Sequence, residues 1–308
     1  MIFNRPDTTE QVFAKIRGQK PKFLFIAADG PRANHPNDAQ LCQATRNIAL
    51  NIDWDCEVKT LFRDENLGCG VAPAGAITWF FEHVEQGIIL EDDIDTDPSF
   101  FTYCEELLNY YKNDEQIMHI SGSYFFADIK PKDTENSYYF SKQLHGWGWA
   151  TWRRAWKFYD YDMKDWPSSN TDTQLKAYYG DNYPFWKNIF TNMQYKGNDI
   201  WDYQWIFTVY KQNGIIINPT ANLTKNIGFN ANATHTTNPN SNYAKLKLDA
   251  ILHINHPANR DINIENDTLY YKHYLGFDWR AELEKQKLSW KLKNNLKRLR
   301  RKLLSFLR

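Results

Sequence analysis

The sequence predicts an α/β fold in which helices cover both faces of a mostly parallel central sheet. Three observations carry this expectation. Through Ser121, short apolar runs of strand length alternate with stretches of helical periodicity, in the order of repeated β-α-β units. One of those runs, Gly87-Ile88-Ile89-Leu90, has the unbroken apolar character of a strand buried on both faces, and it ends in Glu91-Asp92-Asp93-Ile94-Asp95. The 308 residues show no internal repeat and no low-complexity linker before the tail, so one elaborate domain is expected over 1–284.

Taken in order, Asp7 and Glu10 make a D-x-x-E capping pattern ahead of a helix over about 8–18, and Lys22 to Ala28 reads as a strand. A helix through Leu41–Leu50, a strand around Glu57–Phe62, a helix through Ala72–Val84 and the Gly87–Leu90 strand follow. Asp97 as N-cap with Pro98 at the first helical position starts a helix bearing Phe101, Cys104, Leu107, Leu108 and Tyr111, and Met118–Ser121 is another short strand. Further on, Asp199 caps an apolar helix that opens with Ile200-Trp201-Asp202 and runs to Tyr210. Met1-Ile2-Phe3 is short for a central strand, so either that strand is truncated or the start of the chain lies further upstream.

Charge is unevenly spread. The formal net charge is zero, but ten basic residues and no acid lie between Lys285 and Arg308, leaving 27 basic against 37 acidic residues, a net of −10, over 1–284. Leu288, Leu292, Leu296, Leu299, Leu303 and Phe306 recur on one helical face of that tail, with Lys and Arg around the other. This is the pattern of a basic amphipathic helix lying in an anionic membrane surface; a helix docked on the body is the competing reading, and an acidic body disfavours nucleic acid as a partner. Cys42, Cys56, Cys69 and Cys104 show no metal-ligand spacing. With no signal peptide and no apolar run approaching membrane-spanning length, they are expected to be reduced thiols in a cytoplasmic protein, held peripherally at the inner face of the plasma membrane by the tail. Aromatic residues make up 16% of the chain, with 12 Trp, enough to line a sugar- or base-binding cleft as well as to fill a core.

The acids after Leu90 must repel one another unless a positive charge sits among them, and a divalent cation is the simplest candidate. Open α/β sheets bind ligands outside the carboxyl ends of their strands, so a metal here could hold a nucleotide diphosphate; a solvated acidic turn is the bland alternative. Strand alternation would put Glu91 and Asp93 on one face and Asp92 on the other, and the spacing Asp93-x-Asp95 is equally open. His145-Gly146-Trp147-Gly148-Trp149 joins glycines, which let backbone approach a ligand, to indoles, whereas Trp152 and Trp156, four apart, read as one helical core face. The stretch Asn226–Asn240, rich in Asn, Thr and Gly, reads as a loop that could close over a ligand.

Asn4-Arg5, Asp29-Gly30, Glu91-Asp92-Asp93 with Asp97-Pro98-Ser99-Phe100-Phe101, Gly146-Trp147-Gly148-Trp149, Trp201-Asp202 with Trp205, and Ile227-Gly228-Phe229 with Thr234-His235 stand in one order over about residues 1–240. In that order the chain resembles the GT-A (Rossmann-like) nucleotide-sugar glycosyltransferases. It is most similar to a bacterial group of nucleotide-diphospho-sugar transferases and more remotely to eukaryotic N-acetylglucosaminyltransferase I. The resemblance implies Mn²⁺ (or Mg²⁺) on a UDP pyrophosphate with Asp93 as the direct ligand, Asp92 toward the ribose and Glu91 toward the sugar or a water of the metal shell. It implies Asn4, Arg5 and Asp29 in the nucleotide pocket, with Asp29 accepting from uracil and Arg5 paired with Asp29 or a phosphate. Gly146, Trp147 and His235 would join the donor site, and Asp202 would be the base of an inverting transfer. The donor would be a UDP-sugar such as UDP-GlcNAc or a UDP-hexose, and the acceptor a surface glycan or lipid-linked oligosaccharide. A catalytically inactive nucleotide-sugar-binding module and a retaining transferase are the alternatives.

Overall fold

A computed structural model describes residues 1–130, 133, 135–196, 199–229, 242–281, 284, 285, 288 and 289. Its elements run α1 (Pro6–Gln19), β1 (Phe23–Ala28), α2 (Asp38–Leu50), β2 (Glu57–Phe62), α3 (Gly68–His83), β3 (Gln86–Ile89), β4 (Ile94–Thr96), α4 (Ser99–Tyr110) and β5 (Ile117–Ser121). They continue with β6 (Tyr138–Ser141), β7 (Trp149–Trp152), α5 (Arg153–Trp156), α6 (Ser169–Tyr179), α7 (Tyr183–Lys196), α8 (Asp202–Lys211), β8 (Ile215–Pro219), β9 (Thr224–Asn226) and α9 (Ile264–Leu269), which passes into a π-helical turn, Tyr270–Tyr274. Pro6 opens α1, where its missing N–H costs nothing, so Asp7 falls in the first turn and the D-x-x-E pattern does not cap. α4 begins one residue later than expected, with Pro98 rather than Asp97 at its N-cap, and the Asp97 carboxylate accepts from the Ser99 N–H at 2.9 Å just ahead of it.

The fold is α/β, but the sheet is mixed rather than mostly parallel. β1 and β2 pair in parallel; in the five-stranded sheet β3-β7-β5-β8-β6 only the β5–β8 ladder is parallel, and β4 pairs antiparallel with β9. The reason is in the connections. β6 and β7 follow β5 without an intervening helix, so no crossover imposes a parallel direction on them. Met1–Phe3 stitches the two sheets together: the Ile2 N–H donates to Ala27 O at 2.9 Å, and the Met1 amino group donates to Leu90 O at 2.7 Å.

Apolar side chains pack on both faces of the five-stranded sheet. One cluster gathers Phe81, Met118, Trp149, Trp156, Phe190 and Trp205, the other Phe100, Leu107, Ile120, Ala150, Trp152 and Ile217. Trp152 and Trp156 are both buried, but in different clusters, because Trp152 belongs to a strand and not to one helical face with Trp156. Seven of the twelve tryptophans are core residues, so most of the aromatic surplus stabilises the fold. None of the four cysteines is in a disulfide, and no helix among the described residues is long and apolar enough to cross a membrane. The basic tail lies outside the described residues beyond Ser289.

Candidate active site

The carboxyl ends of β1, of Met1–Phe3 and of β3 meet at one place, and there the chain gathers its acids. After β3 the backbone turns, the Ile94 N–H donating to Glu91 O, so the expected alternation is lost and Asp92 and Asp93 both reach Arg5. Arg5 Nη2 lies 2.7 Å from Asp92 Oδ1 and Nη1 lies 2.6 Å from Asp93 Oδ2, while the Phe3 N–H donates to Asp92 Oδ2 at 3.0 Å. Both carboxylates are buried, and the Arg5 guanidinium and the Met1 amino group are the positive charges that act on them and on Glu91. Burial, then the charges of Asp93 and Asp92, push Glu91 up to about 8; burial outweighs Arg5 at Asp92 and pushes it up to about 6. Asp95 is paired elsewhere, with Lys15 at 3.4 Å and Lys225 at 3.3 Å.

Asn4 and Asp29 frame the same strand ends but are engaged with their neighbours. The Asn4 amide donates to Asp38 Oδ1 at 2.8 Å, and Arg32 clasps that carboxylate at 2.6 Å and 3.0 Å, holding Asp38 down at about 2. Asp29 accepts from the Leu67 and Gly68 N–H groups and from Asn66 Nδ2 at 2.9 Å, so it holds the start of α3 and leaves Arg5 to the acid pair. Asp38, Arg32 and Asn66 hold Asn4 and Asp29 in place and have no motif in the sequence to mark them.

Two further segments close around the acids. The β4–β9 ladder carries Ile227 and Gly228 over Asp93, with the Ile227 N–H donating to Asp93 O at 2.8 Å. Phe229 then meets Trp147 edge to face, ring centroids 5.8 Å apart. Trp147 is half-buried, and among the described residues nothing lies within 4 Å of where a Cβ on Gly146 would stand. Gly148 has φ +68 and packs against Thr224, Ile94 and Leu90, the close approach that this glycine permits. His235 lies outside the described residues, as does the loop expectation over 230–240.

Asp202 is the first residue of α8, half-buried, its carboxylate accepting from the Tyr203 N–H at 3.0 Å. Its charge reaches several tyrosines. Burial and then the Asp202 charge push the phenols of Tyr203 and Tyr274 up, and the same charge acts on Tyr159 and Tyr270. Tyr274 also packs edge-on to Trp147, centroids 6.5 Å apart, which joins the surroundings of Asp202 to those of Gly228 and Asp93. Asp199 is not the cap of this helix; α8 has Trp201 at its N-cap and no side-chain cap.

Among the described residues no three His, Cys, Asp or Glu side chains converge on a point that would hold a metal unaided. The donor chemistry nevertheless fits one. Asp93 Oδ1 is buried without a hydrogen-bond partner while Oδ2 is held by Arg5, and Mg²⁺-like ions are commonly bound by one or two carboxylates completed by substrate phosphates and water. Compared with known proteins, the chain matches no family model and no curated protein significantly.

Proposed function

We propose that this chain is a metal-dependent inverting glycosyltransferase of the GT-A type, moving a sugar from a UDP-sugar to a hydroxyl of a glycan or lipid-linked acceptor. The observation that supports this most is the buried Asp93 carboxylate at the end of β3, with one oxygen tied to Arg5 and the other without a partner. A strand end in an α/β sheet is where a nucleotide would bind.

In this reading Asp93 holds Mn²⁺ or Mg²⁺, which when bound neutralises charge on the leaving diphosphate. Arg5 keeps Asp92 and Asp93 in place and presents a fixed positive charge beside that diphosphate. Asp202 accepts the proton of the acceptor hydroxyl as that oxygen attacks the anomeric carbon from the face opposite the nucleotide. No protein nucleophile is required. Trp147, packed against Phe229 and Tyr274, offers an indole for the transferred sugar. The test is a screen of UDP-sugars for UDP release with and without Mn²⁺, with donor binding measured in parallel by calorimetry. Metal-dependent binding with turnover supports the transferase, binding without turnover identifies a nucleotide-sugar-binding module, and no binding of any UDP-sugar overturns both.

A further inference from the structure

Asp199 stands three residues before Asp202, yet its carboxylate serves a different helix. Its Oδ2 accepts from the Cys69 N–H at 3.2 Å and its Oδ1 from the Gly70 N–H at 2.7 Å, both in the first turn of α3. The glycines on either side of Cys69 make room for it. A Cβ on Gly68, which has φ +82, would stand 2.5 Å from Asp199 Oδ2, and one on Gly70 would stand 2.3 Å from Tyr161 Oη and 2.8 Å from Ile200 N. The N–H groups that begin a helix have no acceptor within it. In α3 they are divided between Asp29, from the end of β1, on Leu67 and Gly68, and Asp199, from the approach to α8, on Cys69 and Gly70.

We propose that Asp199 is a positioning residue for Asp202. It fixes the backbone entering α8 to the same helix turn that Asp29 fixes at the nucleotide side, so the base is held in register with the donor pocket. The start of α8 has no side-chain cap. The same segment is also held by Tyr159 Oη to Trp201 O at 3.0 Å, by Gln204 Nε2 to Ile200 O at 2.8 Å, by Cys69 Sγ to Asp199 O at 2.7 Å and by the Trp201 ring stacked on Trp149, but the Asp199 carboxylate is the group that joins it to the α3 amides. The proposal rests on the reading of Asp202 as the base.

The experiment compares the full chain with Asp199→Ala, Asp199→Asn and Asp202→Asn, alone and combined, measuring kcat, acceptor KM, UDP affinity and hydrogen exchange of the Trp201–Trp205 amides. Asp199→Ala should lower kcat by about 10- to 100-fold, the cost of a small misplacement of a catalytic group, with UDP affinity unchanged. Asp199→Asn, which keeps one accepting oxygen, should recover part of that loss. Combining Asp199→Ala with Asp202→Asn should cost no more than Asp202→Asn alone, because both act through one group. Additive losses, or an unchanged kcat in Asp199→Ala, would overturn the proposal. If Asp199→Ala does not fold, Asp199→Asn carries the same cycle with a severalfold loss. If the unaltered protein transfers no sugar, the transferase reading fails by itself. Hydrogen exchange then decides whether Asp199 fixes the segment, and equal protection with and without the carboxylate rejects it.

Discussion

Gly228 lies so close to Asp93 that a Cβ at position 228 would stand 2.4 Å from Asp93 Oδ2 and 3.0 Å from Arg5 Nη1. The β4–β9 ladder sets this approach, and the Ile227 N–H to Asp93 O bond leaves no slack for the backbone to retreat. Gly228→Ala should therefore push Asp93 and Arg5 apart while the clusters on the five-stranded sheet stay intact. Overpacking of this kind costs about 1–3 kcal/mol, so Mn²⁺-dependent UDP binding should weaken by about tenfold or more. Titration calorimetry with and without Mn²⁺ measures it, and unchanged affinity would show that Asp93 is not where the metal binds.

Arg5 and a metal ion would compensate the same buried charges. Asp93→Asn should abolish metal-dependent donor binding and leave the fold in place, whereas Arg5→Gln should leave two buried carboxylates short of a counter-charge. Thermal unfolding of Arg5→Gln should consequently show a larger rise in Tm on adding Mn²⁺ than the unaltered protein does. Equal shifts in both proteins would place the ion elsewhere.

Asp202→Asn keeps the size of the side chain and removes its basicity. It should bind UDP-sugar and metal with unchanged affinity and lose transfer by about 10²- to 10⁴-fold, the range for a positioned general base. Transfer at near the original rate would reassign the base, with Glu91 the next acid to test.

The tail from Lys285 should act on location rather than chemistry. Each basic side chain near an anionic bilayer contributes about 1 kcal/mol before screening, so a few of the ten engaged give reversible binding that falls with salt. Removing residues 285–308 should release the protein from anionic vesicles in flotation assays and leave transfer to a soluble acceptor analogue within about twofold. If truncation instead abolishes UDP binding, the tail belongs to the catalytic body.

What the sequence made legible follows from how local each signal is. Glu57–Phe62 is a strand with the bounds expected, and the other elements expected through Ser121 lie within a few residues of expectation, because apolar periodicity is local, whereas the short strands β4 and β6 had no such signal. The partner of Asp93 was not legible, since Arg5 is 88 residues away and only the meeting of three strand ends joins them. Asp199 shows the same limit in another form. A carboxylate just before a helix looks like that helix's cap, and only tertiary structure reveals that it caps another. The antiparallel β7 was hidden for a related reason, its Trp-Ala-Thr-Trp being too short to distinguish a strand from a helix turn.

Asp267 links stability to the wall of the site. It lies in α9, just before the turn that bears Tyr270 and Tyr274, and accepts from Ser141 Oγ at 2.5 Å and from the Lys142 N–H at 3.1 Å. Burial pushes it up from an ordinary 3.8 to about 6, outweighing those hydrogen bonds. Between these two values the folded protein holds a proton that the unfolded chain has lost, so this group's contribution makes stability fall as pH rises through the window. The difference corresponds to about 3 kcal/mol. Asp267→Asn has no proton to lose, so its stability relative to the unaltered protein should improve by up to that amount between pH 4 and pH 7, whatever the other titrating groups contribute to both. Urea unfolding of the pair at half-unit pH steps measures it. A constant gap would mean that Asp267 is ionised in the folded protein throughout, and that its bonds to Ser141 and Lys142 outweigh its burial.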